Sequence, residues 1–171
     1  MACYCLDLAA DLAATVCVED CNPGIGNTVN LLETCKVTTI PDVDAGTNTI
    51  SDDLTLVALA SFWAVTRFDR KTNGKITGAK ADGANTHTWT FEIFIPYLED
   101  TSMQFVKTIT APGYEAVALV PDECGNTLLY PNTSFSYTYD SLTISDDGIP
   151  GWVLTGTNKG RIPKLYTGAI A

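Results

Sequence analysis

Residues 86–130 constrain the fold most, because their apolar pattern changes period twice within one short stretch. Apolar side chains first occupy every second position, at Trp89, Phe91, Ile93 and Ile95. This period of two predicts a β-strand with one buried face. Pro96 follows, and we expect it to end the strand because proline cannot donate to a strand ladder.

The next part of this stretch has helical spacing. Met103, Val106 and Ile109 recur at three-residue steps, after Asp100 and Thr101, either of which can cap a first turn. Pro112-Gly113 is expected to stop the helix. Two further strands are predicted at 116–120 and 127–130, joined by a turn over 121–126. The stretch therefore predicts a strand, a helix lying across the sheet, and a hairpin.

The other predicted elements surround this unit. They are a short helix over 6–17, mixed extended structure over 29–39, a long strand over 54–68, a protruding hairpin over 69–85, and strands over 135–139, 142–144 and 152–155. Thr, Val, Ile and aromatic residues are plentiful and helix signals are few, so the class is mainly β. We expect an antiparallel β-sandwich or barrel with one flanking helix, in which 1–20 form an extension and 21–171 form one domain.

Charge is distributed unevenly along the chain. The 20 acidic and 10 basic residues give a net charge of −10, which argues against sequence-specific nucleic-acid binding. Five basic residues fall within 67–80, between two acidic regions. This segregation favours contacts between identical copies, in which the basic segment 67–80 of one copy meets an acidic region of another. An ordinary solvated hairpin face would show the same pattern. The candidate self-assembly residues are Arg67, Arg70, Lys71, Lys75 and Lys80, together with Met103 and Val106 of the predicted helix.

Six cysteines leave three interpretations open. Cys3, Cys5, Cys17 and Cys21 could bind zinc, but their spacing is not that of the usual paired knuckle. Disulfides after release from a reducing cell are a second possibility. Reduced, partly buried thiols are the third and the favoured one. We expect no metal and no cofactor.

Catalysis has little support in the sequence. His87 is the only histidine, and no local motif supplies a nucleophile and an acid beside it. The acids at 122–123 and 146–147 are typical of solvated turns. Asp42, Asp44, Asn48 and Asp53 resemble a calcium loop, but the glycine is one position early and a bidentate glutamate is missing, which favours a plain turn. The Gly-x-Gly at 24–26 lacks the rest of a phosphate loop. We therefore expect a protein that is not an enzyme.

Membrane and secretion signals are also weak. No run approaches the roughly 20 apolar residues of a membrane span. The first residues lack a positively charged region, and Asp7 and Asp11 interrupt their apolar stretch, so a signal peptide is not expected.

Residues of about 20–168 resemble a phage tail tube protein of the long-tailed phages, including those of Bacteroidetes-type hosts. The resemblance is carried by an order of elements. These are the Cys- and Gly-containing segment 21–26, a strand and long polar hairpin over 62–85, a strand–helix–strand unit, the turn 120–126, and the Asp-Gly turn and strand over 146–156. Residues 1–19 have no clear counterpart, and 54–60 is more apolar than such a protein would require.

The resemblance implies a β-sandwich or barrel with a flanking helix, six copies per ring, and rings stacked into a tube through which DNA passes. It implies identical subunits and other tail proteins as partners, DNA only as passing cargo, no membrane, and a place in the virion after assembly in the host cytoplasm. An acidic subunit suits this role, because a conduit should not grip a polyanion. The alternatives are another virion role, such as capsid decoration or a head–tail connector, and a monomeric adhesin-like or ligand-binding β-domain.

Overall fold

Eleven strands and one α-helix make up the part of the chain that the computed structural model describes, which comprises residues 28–66, 76–80, 87–96, 100–122, 125–140, 150–160 and 163–170. The helix, α1, spans Asp100–Ile109. The strands are β1 Thr28–Glu33, β2 Val37–Thr39, β3 Thr49–Ile50, β4 Thr55–Leu56, β5 Trp63–Thr66, β6 Ile76–Lys80, β7 His87–Pro96, β8 Ala116–Pro121, β9 Thr127–Asp140, β10 Gly151–Gly160 and β11 Lys164–Tyr166. The fold is mainly β, as the sequence predicts.

One large sheet holds most of the strands, in the order β5-β1-β8-β9-β10-β7-β6. All neighbours on this path are antiparallel. β11 pairs antiparallel with β9 and parallel with β3, so the sheet is mixed. β2 and β4 form a separate antiparallel pair.

A bulge in β9 folds this sheet into a sandwich-like arrangement. Ala118 lies opposite Tyr130, and Ala116 lies opposite Thr133, so β9 advances three residues while β8 advances two. The extra residue falls beside Asn132, which has a φ of 52°. Such a bulge bends its strand and increases the local twist. Beyond it, β9 pairs with β10 over residues 134–140.

β8 is the centre of the molecule. Its five aliphatic residues, Ala116–Val120, are all fully buried. Even-numbered residues face the main core, which also contains Phe91, Ile93, Leu154 and the buried side of α1. The odd-numbered Val117 and Leu119 face a second core with Ile50, Leu129 and Tyr166. Burial on both faces explains why β8 is a continuous apolar run.

Most of the predicted strand and helix assignments are confirmed. β7, α1 and β8 lie where the periodicity places them, and the turn over 121–126 is closed by Asp122, whose carboxylate accepts hydrogen bonds from the backbone N–H (2.7 Å) and Nδ2 (2.9 Å) of Asn126. The strands predicted over 127–130 and 135–139 are parts of the single strand β9. The tail, which shows little pattern, contributes β11.

Two predictions are wrong in detail. The long strand over 54–68 is two short strands, β4 and β5, separated by a turn. Leu54, Leu56 and Phe62 face the second core, whereas Val65 packs against the main core, so the two strands belong to different layers. The buried side of α1 also differs from the predicted one.

In α1 the buried side is Phe105, Val106 and Ile109, and Met103 is exposed. Three-residue steps drift around a helix of 3.6 residues per turn, so the stripe cannot continue from Ile109 back to Met103.

Several predictions fall on residues outside the described ranges. They are the extension 1–20, the helix over 6–17, the Gly-x-Gly segment, the strand over 142–144 and most of the hairpin over 69–85. Of that hairpin, the structure describes β6, which pairs in register with β7 from Ile76 opposite Phe91 to Lys80 opposite His87.

Candidate functional site

The turn between β4 and β5, Val57–Ala60, exposes apolar side chains and is called the apolar turn below. Leu59 is 105% exposed and Val57 is 48% exposed. The N–H of Ala60 donates to the carbonyl of Val57 at 2.9 Å, and the N–H of Val57 donates to the carbonyl of Lys36 at 2.9 Å. The turn is therefore tied to the sheet by backbone hydrogen bonds, although its side chains contribute nothing to either core.

Leu59 has an unfavourable backbone conformation as well as an exposed side chain. Its φ is 65°, in the left-handed region that glycine usually occupies at this position of a four-residue turn. For an ordinary residue this conformation costs about 1–2 kcal/mol. Strained residues of this kind concentrate at sites where the side chain has a function.

A groove of about 600 Å³ lies between β5 and α1. Trp63 and Val65 form one wall, Phe105 forms the other, and Ile95 of β7 also lines it. The rings of Trp63 and Phe105 meet edge to face at 6.3 Å between centroids. Among the described residues, those that line the groove carry no formal charge; besides the four already named they are Ala64, Thr66, Thr101, Ser102, Gln104 and Thr108. This surface is suited to apolar chain and not to an ion.

The strand that forms this groove is at one end of the sheet. Among the strands that the structure describes, β5 pairs only with β1, and it lies at the end of the path opposite β6. An edge strand offers unpaired N–H and C=O groups to another extended chain. Lys36 sits beside this edge, with its Nζ 5.6 Å from the centre of the Trp63 ring and 3.0 Å from the Glu33 carboxylate.

The structure separates the candidate self-assembly residues that the sequence suggests. Val106 is 3% exposed and packs in the main core, so a neighbouring copy cannot reach it while this packing holds. Met103 is exposed on the outer side of α1. Lys80 ends β6, opposite His87. Arg67, Arg70, Lys71 and Lys75 lie outside the described residues.

A smaller pocket of about 320 Å³ lies beside the bulge in β9. Lys159 and Lys164, two basic residues near the end of the chain, both line it, together with Asp42. The Nδ2 of the buried Asn158 donates to the carbonyl of Pro131 and connects β10 to the bulge. Because this pocket is lined by charges of both signs and its buried amide already has a partner, it is better explained as part of the fold than as an anion-binding site.

Acidic residues in the turns have structural roles. Asp44 accepts a hydrogen bond from the Ser51 hydroxyl at 2.9 Å, and Asp53 accepts one from the Ala169 N–H at 2.6 Å. Two members of the calcium-like loop therefore hold the chain together. No group of three or more His, Cys, Asp or Glu side chains within the described ranges is placed to hold a metal ion. His87 has a ring contact with Trp89 at 6.3 Å between centroids.

Burial also affects the tyrosines. Burial of Tyr130 in the main core raises the pKa of its hydroxyl, which has no hydrogen-bond partner among the described residues. Burial, followed by the negative charges of Glu33 and Cys35, raises the pKa of Tyr114 to about 12. These groups stay neutral at physiological pH and contribute packing, not acid–base chemistry.

Comparison of the chain with family models, with curated proteins and with solved structures gives no match. In the part of the chain that the structure describes, no helix is both long enough and apolar enough to cross a membrane. The case for function therefore rests on the surface described above.

Sequence analysis did not single out Leu59 or the groove residues as functional. One signal was present: residues 54–60 are more apolar than a half-exposed strand requires, since Val57 and Leu59 interrupt the alternation that Leu54 and Leu56 begin. The groove combines β5, α1 and Ile95 of β7, which are distant in sequence, so no local pattern reports it.

Proposed function

We propose that this chain is a structural subunit that associates with identical copies of itself, as a tail-tube-like protein of a virion that forms rings stacked into a tube for DNA. The observation that carries the proposal is the apolar turn, with a fully exposed leucine in a left-handed conformation. Covering such a side chain with a neighbouring copy would contribute about 1.5–3 kcal/mol per contact. The chain's own fold leaves that contribution unused.

Other features support the same proposal. The exposed Met103 and the edge of β5, which no other described strand covers, add surface that a neighbour could cover. The net charge of −10 would keep passing DNA from adhering to the wall of a tube. In this proposal the chain is not an enzyme, and its partners are identical subunits and other tail proteins.

Imaging tests this function directly. Purified full-length protein at high concentration should form rings or short tubes in negative stain. Reversing charge in the basic segment 67–80, with Arg70→Glu and Lys71→Glu together, should block these assemblies and leave the circular dichroism spectrum unchanged. Dispersed single particles at every concentration would refute the proposal. Normal assembly by the charge-reversed variant would refute the role of Arg70 and Lys71 in it.

Particle symmetry separates this function from the nearest virion roles. A capsid decoration protein would sit at many positions on an icosahedral shell, and a head–tail connector would form a single ring per particle. Copy number per virion, measured by quantitative mass spectrometry, distinguishes both from a tube of many stacked rings.

A monomeric ligand-binding β-domain is the second candidate. It is favoured by three aromatic rings at one end of the sandwich, where Trp152 lies 5.3 Å from Tyr137 and 5.0 Å from Tyr139 between centroids. Both tyrosines are exposed. This function requires a stable monomer, so a sedimentation coefficient that does not change with concentration would support it over self-assembly.

A further inference from the structure

The groove between β5 and α1 is an apolar surface that the described residues leave uncovered, and it is separate from the apolar turn. It holds about 600 Å³, which is too much for one side chain to fill. Trp63, Val65, Ile95 and Phe105 give it apolar walls, its other lining residues are alanine and uncharged polar residues, and none of those that the structure describes is charged. A segment with several apolar side chains suits this surface.

The described chain begins at the end of this groove. Thr28, the first described residue, lies opposite Thr66 in the β1–β5 register, and Thr66 is a groove residue. The 27 residues that precede Thr28 must therefore start from this point. β5 is only about 13 Å long, so any segment that turns back from Thr28 meets the groove at once.

The sequence of that N-terminal segment matches the groove in chemistry. On a helical wheel, one side of residues 6–17 carries only apolar side chains; they are Leu6, Leu8, Ala9, Leu12, Ala13 and Val16. Asp7, Asp11 and Ala14 fall on the opposite side. A helix of this length is marginal alone and needs a surface on which to dock.

The connection permits this docking within one chain. Residues 18–27 separate the segment from β1 and can span up to about 36 Å. They include Asn22, Pro23, Gly24 and Gly26, a composition that favours reversal of the chain direction. A connection of this length gives a tethered segment an effective concentration in the mM range, so its own groove would fill before that of another copy at ordinary protein concentrations.

We propose that residues 6–17 pack their apolar side chains into the β5–α1 groove of their own chain. The segment completes the wall of the domain beside Trp63 and Phe105, and its acidic side faces solvent. This docking does not depend on self-assembly, which rests on the apolar turn. It removes the groove from the surfaces that are free to bind another molecule.

Photo-cross-linking of the full-length protein tests the proposal. A benzophenone amino acid replaces Gln104, which lines the groove, and an equal mixture of ¹⁵N-labelled and unlabelled protein is irradiated at low micromolar concentration. Cross-linked peptides should join position 104 to residues 6–17, with both peptides carrying the same isotope. Cross-links that mix the isotopes would overturn the proposal in favour of exchange between copies, and cross-links to other parts of the chain would overturn it altogether.

A pair of matched variants makes the test specific. Leu12→Asp places a charge on the apolar side of the segment, and Ala14→Asp places the same charge on the opposite side. Cross-linking at 104 should fall at least tenfold in Leu12→Asp and stay within twofold of the parent in Ala14→Asp. Hydrogen exchange over residues 63–66 should accelerate only in Leu12→Asp. Equal behaviour of the two variants in both measurements would overturn the proposal. The association experiments change Arg70, Lys71 or Leu59, none of which belongs to residues 6–17 or to the described residues that line the groove, so failure of self-assembly leaves these outcomes unchanged.

Discussion

Strand β8 and the apolar turn are built from the same kinds of residue and have opposite surroundings. Val117, Leu119 and their neighbours in β8 are fully buried between two cores. Val57 and Leu59 of the turn are exposed, although the turn is fixed to the sheet by backbone hydrogen bonds. Apolar burial drives folding in the first region and is absent in the second.

This difference separates the residues that stabilise the single chain from those that carry the proposed function. Residues in β8 must matter for the free energy of unfolding of a single chain, because their burial is complete without a partner. Residues in the apolar turn must matter little for it, and they retain a stabilising contribution that only another molecule can supply. The following variants test this division.

Replacement in β8 should have the largest effect. Leu119→Ala removes a fully buried side chain from the second core and leaves a cavity, which typically costs about 2–5 kcal/mol. Urea unfolding followed by circular dichroism should show this loss in the free energy of unfolding. A loss below about 1 kcal/mol would mean that β8 is not the centre that its burial indicates.

A glycine next to the main core should come second. A Cβ at Gly156 would overlap the ring of Phe91, which lies directly opposite in the β10–β7 register. Gly156→Ala should therefore lower the free energy of unfolding by about 1–3 kcal/mol through overpacking. Gly160→Ala in the same strand is the matched control, because its Cβ would meet only the Asn158 side chain at ordinary contact distance. Equal losses in the two variants would contradict the packing of Phe91 on Gly156.

A variant of the apolar turn should weaken self-association without lowering the free energy of unfolding of the monomer. Leu59→Gly relieves the left-handed conformation, so the free energy of unfolding of the monomer should be unchanged or raised by up to about 1 kcal/mol. Self-association should weaken about tenfold or more, because an exposed apolar contact is lost. Destabilisation of the monomer by this variant would show that Leu59 serves the fold after all.

The smallest effect is expected at Tyr130. Its buried hydroxyl lacks a partner among the described residues, so Tyr130→Phe should change the free energy of unfolding at pH 7 by less than about 1 kcal/mol, with stabilisation favoured. Burial raises the pKa of Tyr130 in the folded state, so its contribution to stability is complete below pH 10, the ordinary tyrosine value, and is lost as the pH rises beyond it. Between pH 10 and 11 the variant should lose stability less steeply than the parent, by up to about 1.4 kcal/mol per pH unit. An unchanged slope would contradict the burial of this hydroxyl.

Local periodicity predicts those strands that bury the same face, or both faces, along their whole length. β7 follows its alternation because one side faces the main core, and β8 is an uninterrupted apolar run because both sides are buried. The apolar run over 54–62 misleads for a physical reason: Leu56 and Val65 pack against different cores, and a turn with a left-handed leucine lies between them. No propensity places a leucine there, so the residue that carries the proposed function is also the one that the sequence predicts least well.

The groove shows a second limit of sequence reasoning. Trp63, Ile95 and Phe105 meet because a sheet folded at the β9 bulge brings β5, α1 and β7 together. The bulge falls beside Asn132, which has a positive φ and lies between the two strands predicted over 127–130 and 135–139. Long-range register of this kind is set by the whole core and not by any one segment.

Sedimentation velocity of the full-length protein over a hundredfold range of concentration tests the central claim most directly. The wild-type chain should sediment as larger species as concentration rises, Leu59→Met should behave in the same way because it keeps an apolar side chain, and Leu59→Asp should remain a folded monomer. A wild-type chain that stays monomeric throughout, or a Leu59→Asp variant that associates as the wild type does, would contradict the claim that the apolar turn exists to bind another copy.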